Sequence, residues 1–246
     1  MNRIKDFFDS KTKIIVAVVI ALACIIGISM AIASQFKNET LIRGVDVSAY
    51  QGTIDWKKLA DQDLYFAYIK ATEGTDYKDK QFDTNWEQAR KTKLKVGAYM
   101  FVDLNEDGKK QAEFFTQTVS VQKNSLPPVI DLELSSDMDE TNMPSADSVQ
   151  QKVSTIISVL KDKYDQTPII YTNYQTYNAY MANYQTDVKI WICDLSNQKP
   201  DLSGQHQWVF WQYTQRGILN GYDGDEQFID LDLFNGDEKA FNKMFN

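Results

Sequence analysis

Cysteine is scarce: the 246 residues contain only Cys24 and Cys193. Cys24 lies in a long apolar run, so Cys193 stands alone in the remainder, which must fold without an internal disulfide. Histidine is scarcer still. His206 is the single one, set in a Gly/Gln-rich stretch, and a Ser-His-Asp triad has nowhere else to find its base. Zinc is excluded in the same way, because neither a His pair nor a Cys cluster exists. Basic charge is in deficit, with a formal net charge of −8. That leaves no basic face for nucleic acid. It also means that an anionic polymer would have to be held by short-range contacts, without help from long-range attraction. The glycine-containing stretch 217–224 (GILNGYDG) is neither a P-loop nor a dinucleotide turn, since no helix pattern follows it directly. Asp223, Asp225 and Glu226 in and after it read as a solvated turn rather than a calcium loop. No metal and no cofactor are expected.

Long apolar runs are not lacking. Residues 14–33 (IIVAVVIALACIIGISMAIA) carry no charge and are long enough to cross a bilayer core as a helix. Arg3, Lys5, Lys11 and Lys13 precede them and Lys37 is the nearest base after them. The positive-inside rule then places the N-terminus in the cytoplasm and the rest outside the cell membrane. Ala31-Ile32-Ala33 resembles a signal-peptidase site, yet the apolar stretch exceeds a usual signal core, and an uncleaved single-pass anchor is the favoured reading. The expected organisation is a cytoplasmic basic segment at 1–13, a transmembrane helix at 14–34, a linker at 35–41 and one domain at 42–246. Such a domain is large enough to bury its own core.

Within that domain, apolar runs alternate with amphipathic ones. Strands are expected at 42–48, 64–71, 95–102, 127–134, 167–172, 188–193, 208–213 and 227–233. Helices are expected at 55–62, 80–92, 107–121, 145–164, 174–183 and 236–245. Ser145 suits the N-cap of the fourth helix and Asp147 its first turn. Repeated strand–helix alternation argues for a parallel sheet with helices outside it. Eight strands in one domain favour closure into a (β/α) barrel of the TIM type. Residues 193–207 and 214–226 lack helical patterning, so the second half of the barrel should be irregular.

Residues 127–134 read Pro-Pro-Val-Ile-Asp-Leu-Glu-Leu. Carboxylates in so apolar a strand are costly unless they have a task, and at spacing i, i+2 Asp131 and Glu133 point to one side. Two acids held together push their pKa values apart, which lets one stay protonated while the other ionises. That is the equipment for acid-assisted cleavage of a glycosidic bond. Barrel chemistry sits at the C-terminal ends of the strands. Asp46 lies near the end of the first strand and Asp230 within the last, and these strands are neighbours once the barrel closes. The reading that follows is a mouth formed by Asp46, Asp131, Glu133 and Asp230.

Six blocks then occur in order: Gly44-Val45-Asp46-Val47-Ser48, Tyr68-Ile69-Lys70-Ala71-Thr72-Glu73-Gly74, Gly97-Ala98-Tyr99, Asp131-Leu132-Glu133, Trp211-Gln212-Tyr213 and Ile229-Asp230-Leu231-Asp232-Leu233-Phe234. Together they resemble glycoside hydrolase family 25, the muramidase-type lysozymes, over about residues 42 to 236. The resemblance implies a flattened, irregular (β/α) barrel. It also implies cleavage of the β-1,4 bond from N-acetylmuramic acid to N-acetylglucosamine in peptidoglycan. By position it makes Glu133 the general acid, Asp131 its partner, and Asp46 and Asp230 the acids of the first and last strands. It assigns the glycan groove to Tyr99, Tyr171, Trp191 and Trp211, with Glu73 in or behind it and Tyr50 as a further substrate-binding residue.

The chain departs from the family's pattern in several places. Ala49-Tyr50 stands where many members have His-Trp, and Met100 replaces a histidine. Cys193-Asp194-Leu195 follows Trp191-Ile192, and Asp232 occupies a position where Asn is common. These departures are expected to bear on affinity, specificity and pH optimum and to leave the four acids untouched. Chitinase-like barrels need a further acid two residues before Asp131, where this chain has Val129. A membrane-tethered glycan-binding module without turnover is the competing, non-enzymatic reading. The tether points to local wall remodelling, such as opening a passage for a secretion or conjugation apparatus.

Overall fold

A computed structural model describes residues 42–245 except 121–124, 136–137, 139–141, 197, 203 and 205. The segments read as cytoplasmic (1–13), transmembrane (14–34) and linker (35–41) lie outside the described residues. Among the described residues no helix is long and apolar enough to cross a membrane.

The chain runs β1 (Arg43–Val47), α1 (Trp56–Ala60), β2 (Phe66–Glu73), β3 (Tyr77–Lys78), α2 (Phe82–Ala89), β4 (Lys95–Phe101), α3 (Gly108–Thr118), β5 (Val129–Asp131) and α4 (Ala146–Tyr164). It continues through β6 (Ile169–Asn173), α5 (Tyr174–Thr176), β7 (Lys189–Cys193), β8 (Trp208–Gly217), β9 (Ile229–Phe234) and α6 (Glu238–Phe245). The sheet order is β1-β9-β8-β7-β6-β5-β4-β2, and β1 also pairs with β2, which closes the barrel. The short β3 pairs antiparallel with the end of β2, outside the ring. Neighbours from β1 through β8 pair in parallel, whereas β9 is antiparallel to both β8 and β1. The barrel is therefore closed as the sequence implies but departs from the all-parallel TIM arrangement at its last strand. An antiparallel β8–β9 ribbon replaces the helical crossover that a parallel last strand would require.

Strand pleat sorts the apolar residues into two layers. Val45, Ile69, Ile130, Ile170 and Ile192 face outward and pack beneath the helices. Tyr68, Val129, Tyr171, Trp191 and Phe210 face inward. Phe241 and Phe245, one turn apart on α6, close the lower end. The Phe245 ring stacks on Phe210 at 5.6 Å, and the Phe241 ring on Phe66 at 5.8 Å. Each such ring removed from water contributes about 1.5–3 kcal/mol. The helices start where the sequence supplies caps: the side chains of Asp55, Asp107 and Ser145 accept from Lys58, Lys110 and Ser148 backbone N–H groups.

Two expected elements differ. The strand of 127–134 narrows to Val129–Asp131, because Pro127 and Pro128 have no N–H to give to a ladder. Glu133 thus lies two residues past the strand, on the loop that leaves it. The helix expected at 174–183 is a single α turn followed by a π-helical segment, Tyr177–Met181.

Gly97 shows how tightly the interior is filled. A Cβ there would lie 2.2 Å from Cε1 of the Tyr68 ring, a ring that is fully buried. Gly97→Ala is expected to destabilise the fold by roughly 1–3 kcal/mol through overpacking, measured by denaturant unfolding. An unchanged midpoint would show that the Tyr68 ring moves freely.

Candidate active site

The upper end of the barrel, where β1, β2 and β4–β8 finish, carries the acids. Asp131 is the last residue of β5, and Asp46 is the penultimate residue of β1. Asp230 is the second residue of β9 and pairs directly with Asp46. Antiparallel pairing explains why the start of β9 reaches the same end at which the parallel strands finish. Asp46, Asp131, Glu133 and Asp230 line one pocket of about 140 Å³ with Tyr99, Val129, Tyr171, Trp191, Gln212 and Gln215. A second depression of about 360 Å³ shares Asp46, Tyr99, Gln215 and Asp230 with it and continues past Ser48, Tyr50, Lys70, Glu226 and Phe228.

Two amides orient the acids. The backbone N–H of Thr176 donates to Asn173 Oδ1 at 3.0 Å, which turns Asn173 Nδ2 toward Glu133 Oε1 at 2.8 Å. Asn173 therefore caps the helical turn after β6 and fixes Glu133 with the same side chain. Gln212 behaves likewise. Its Oε1 accepts from the Tyr171 hydroxyl at 2.9 Å and its Nε2 donates to Asp46 Oδ2 at 2.9 Å. Neither residue was singled out as a site residue from the sequence, although Asn173 stands at a strand end and Gln212 sits in one of the six blocks.

Burial dominates the electrostatics. It raises Asp46 to about 6 despite the bond from Gln212, with the Glu133 charge adding to the rise. It raises Asp230 to about 8, helped by Asp46 and Glu226. Asp131 is pushed well above the carboxylate range by burial and then by Glu133, while Lys70 pulls it down. Glu133 is raised by burial and lowered by the Asn173 bond. Removal from water, rather than the charge of Asp131, is thus what raises Glu133. Between the two, Asp131 is the more deeply buried and the more strongly raised.

Asn173→Ala should cut turnover about tenfold by releasing Glu133 from its fixed orientation. Loss of a bond to the charged form also raises the Glu133 pKa. The alkaline limb of the pH–rate profile should therefore move upward, and a downward move would contradict this arrangement.

The remaining sequence-assigned groove residues fall in different places. Tyr99 and Tyr171 line the inner pocket, and Tyr50, 67% exposed, stands over the outer depression. Trp191 reaches the pocket only as its floor: it is 1% exposed and its Nε1 donates to Asp232 Oδ1 at 3.0 Å. Trp211 lines neither depression. On β8 the inward positions are Phe210 and Gln212, so the pleat turns Trp211 outward, where its Nε1 donates to the Asp194 carbonyl at 2.7 Å. Glu73 is half-exposed and lines neither depression. It pairs with Lys70 at 2.6 Å, and Lys70 in turn faces the outer depression and lowers Asp131. The departures also reach further than the sequence implied, because the buried side chain of Asp232 faces Asp46.

A cleft of carboxyls at the open end of a closed barrel is the setting of a glycosidase, and comparison with known proteins agrees. Residues 45–222 match the sequence model of Glycosyl hydrolases family 25. The chain belongs to glycosyl hydrolase family 25. This family 25 protein is 33% identical over 200 residues to the uncharacterized protein YegX of Escherichia coli, covering 79% of this chain and 70% of YegX. It is 30% identical over 203 residues to Lysozyme M1 of Streptomyces globisporus, covering 79% and 68% of the two chains. Among solved structures, a family 25 glycosyl hydrolase from Bacillus anthracis superposes with a TM-score of 0.77 at 42% identity, over 82% of this chain and 92% of that one.

Proposed function

We propose that this family 25 hydrolase is an N-acetylmuramidase, cleaving the β-1,4 bond between N-acetylmuramic acid and N-acetylglucosamine in peptidoglycan. The observation that carries the reading is the gathering of Asp46, Asp131, Glu133 and Asp230 around one pocket with their pKa values raised by burial. A lysozyme among its relatives supplies the substrate class.

Glu133, at the start of the loop that leaves β5, keeps its proton and gives it to the glycosidic oxygen as the bond to C1 breaks through an oxocarbenium-like state. Asp131 lies deeper, and its buried Oδ1 has no hydrogen-bond partner among the described residues. It accepts from the N–H of the substrate's N-acetyl group, whose oxygen bonds C1 as the leaving oxygen departs; water then displaces that oxygen from C1 and returns a proton to the Glu133 carboxylate. Asp46, ionised above about 6, stabilises the positive charge that develops. Tyr99 and Tyr171 form the walls against which the sugar ring packs.

The apolar run at 14–34 tethers this domain to the outer face of the cell membrane, which limits cleavage to wall within reach of that membrane. The task that fits a tethered hydrolase is local remodelling, such as opening a passage for a secretion or conjugation apparatus. Mass spectrometry of purified peptidoglycan after digestion tests the chemistry. New reducing ends on muramic acid are expected. Reducing ends on N-acetylglucosamine would overturn the bond assignment, and binding without any product would turn the reading to a glycan-binding module.

A further inference from the structure

Asp232 is the acid that the four-carboxyl reading leaves without a role. It is 0% exposed and occupies an inward position on β9, in register with Gly44 on one side and Gln212 on the other. Its Oδ1 accepts from Trp191 Nε1 at 3.0 Å. Its Oδ2 is buried and finds no N–H or O–H donor among the described residues. What that side chain does meet is the carboxyl of Asp46, in hydrogen-bonding contact. An ionised carboxylate can only accept, so two of them facing each other in a dry interior leave both unsatisfied and repelling. A single proton between them removes both difficulties, because a neutral carboxylic acid donates once and still accepts once.

We propose that Asp232 is a positioning residue which holds a proton and donates it to Asp46, so that Asp46 stays an oriented anion. This inference rests on the muramidase reading only in giving Asp46 a part in turnover. The groups facing Asp232 are consistent with a neutral acid. Asp46 on β1 and Asp230 on β9 are both acids, and Tyr68 on β2 and Trp191 on β7 bring no positive charge. No cation is among the groups that set its protonation; burial comes first and raises it, and the charges of Asp46 and Asp230 follow. Asp46 is then clamped from both sides, by the amide of Gln212 and by the acid proton of Asp232. The two acids together carry one negative charge, and Trp191 locks the donor by holding its other oxygen.

The test uses the full-length protein and two variants. Asp232→Asn has the shape of the neutral acid, with an oxygen for Trp191 and an N–H for Asp46. Its pH–rate profile should superimpose on the parent's. Asp232→Ala removes the donor, so turnover should fall by about a hundredfold from lost positioning. Its acid limb should move upward, since Asp46 loses a bond to its charged form. If Asp232 were instead an anion, Asp232→Asn would remove a like charge and move the acid limb downward, which overturns the proposal. An alanine variant with the parent's rate would overturn it too. Infrared difference spectra at neutral pH read the proton without turnover. The parent should show one protonated-carboxyl contribution more than Asp232→Asn, and identical spectra would refute the assignment. A parent protein that cleaved no glycan would sink the muramidase reading and leave the infrared result standing.

Discussion

Glu133→Gln is expected to reduce glycan cleavage by on the order of a thousandfold while leaving the fold intact. The amide has the size of the acid and keeps an oxygen for the 2.8 Å bond from Asn173 Nδ2. What it lacks is the proton for the leaving oxygen, and among the described residues of the loop after β5 no other acid replaces it. Asp131 is deeper in the pocket and 8% exposed, so its carboxyl is the less accessible of the two to a departing oxygen. The substitution has a second consequence. Once ionised, Glu133 raises Asp131, Asp46 and Asp230 through its charge, so at pH values above its own titration a neutral glutamine should let all three ionise at lower pH. Release of reducing sugar from purified peptidoglycan measures the first effect and thermal unfolding the intact fold. A variant that kept a tenth of the parent's rate would remove Glu133 from the role of acid.

Stability is expected to fall as pH rises from about 4 to about 8, the reverse of the usual acid denaturation. Asp46 and Asp230 both titrate above their ordinary 3.8, at about 6 and about 8. In that interval the unfolded chain has already released these protons while the folded chain retains them, so the folded state binds more protons. The stabilisation from protonation is complete below 3.8 and is lost as pH passes through the folded values. For Asp46 alone the move from 3.8 to about 6 corresponds to on the order of 3 kcal/mol. Denaturant unfolding at pH 5 and pH 8 should show the decline, and Asp230→Asn should flatten its upper part. Stability that rose toward pH 8 would mean that these carboxyls are paired with cations rather than desolvated. The cost is borne at the site for a reason: the burial that raises Asp46 and Asp230 raises Glu133 as well.

Much of this was legible along the chain. The apolar alternation of residues such as Val129 to Leu132 and the capping residues Asp55, Asp107 and Ser145 are local signals, and local physics reads them. The blocks around Asp46, Asp131, Glu133 and Asp230 identify the family because each lies on one strand or at its end. Three things were not legible. The outward turn of Trp211 depends on the pleat of β8, and a slip of one residue reverses it. The buried place of Trp191 depends on Tyr68, Tyr171 and Phe210 closing around it, residues distant in sequence. The role of Asn173 depends on the chain turning into a helix after β6, which points the amide back over the pocket.

The amino-acid sequence by itself determined that the domain is an eight-stranded α/β barrel of family 25 with four acids at one end, because strand period, turn chemistry and motif order are properties of short segments. Tertiary structure alone decided that β9 runs antiparallel, and this choice sets the protonation of the site. Antiparallel pairing lays Asp230 against Asp46 and brings Asp232 down beside it. The pKa of a carboxyl is fixed by the water it loses and the charges it meets, and both are supplied by strands far away in sequence.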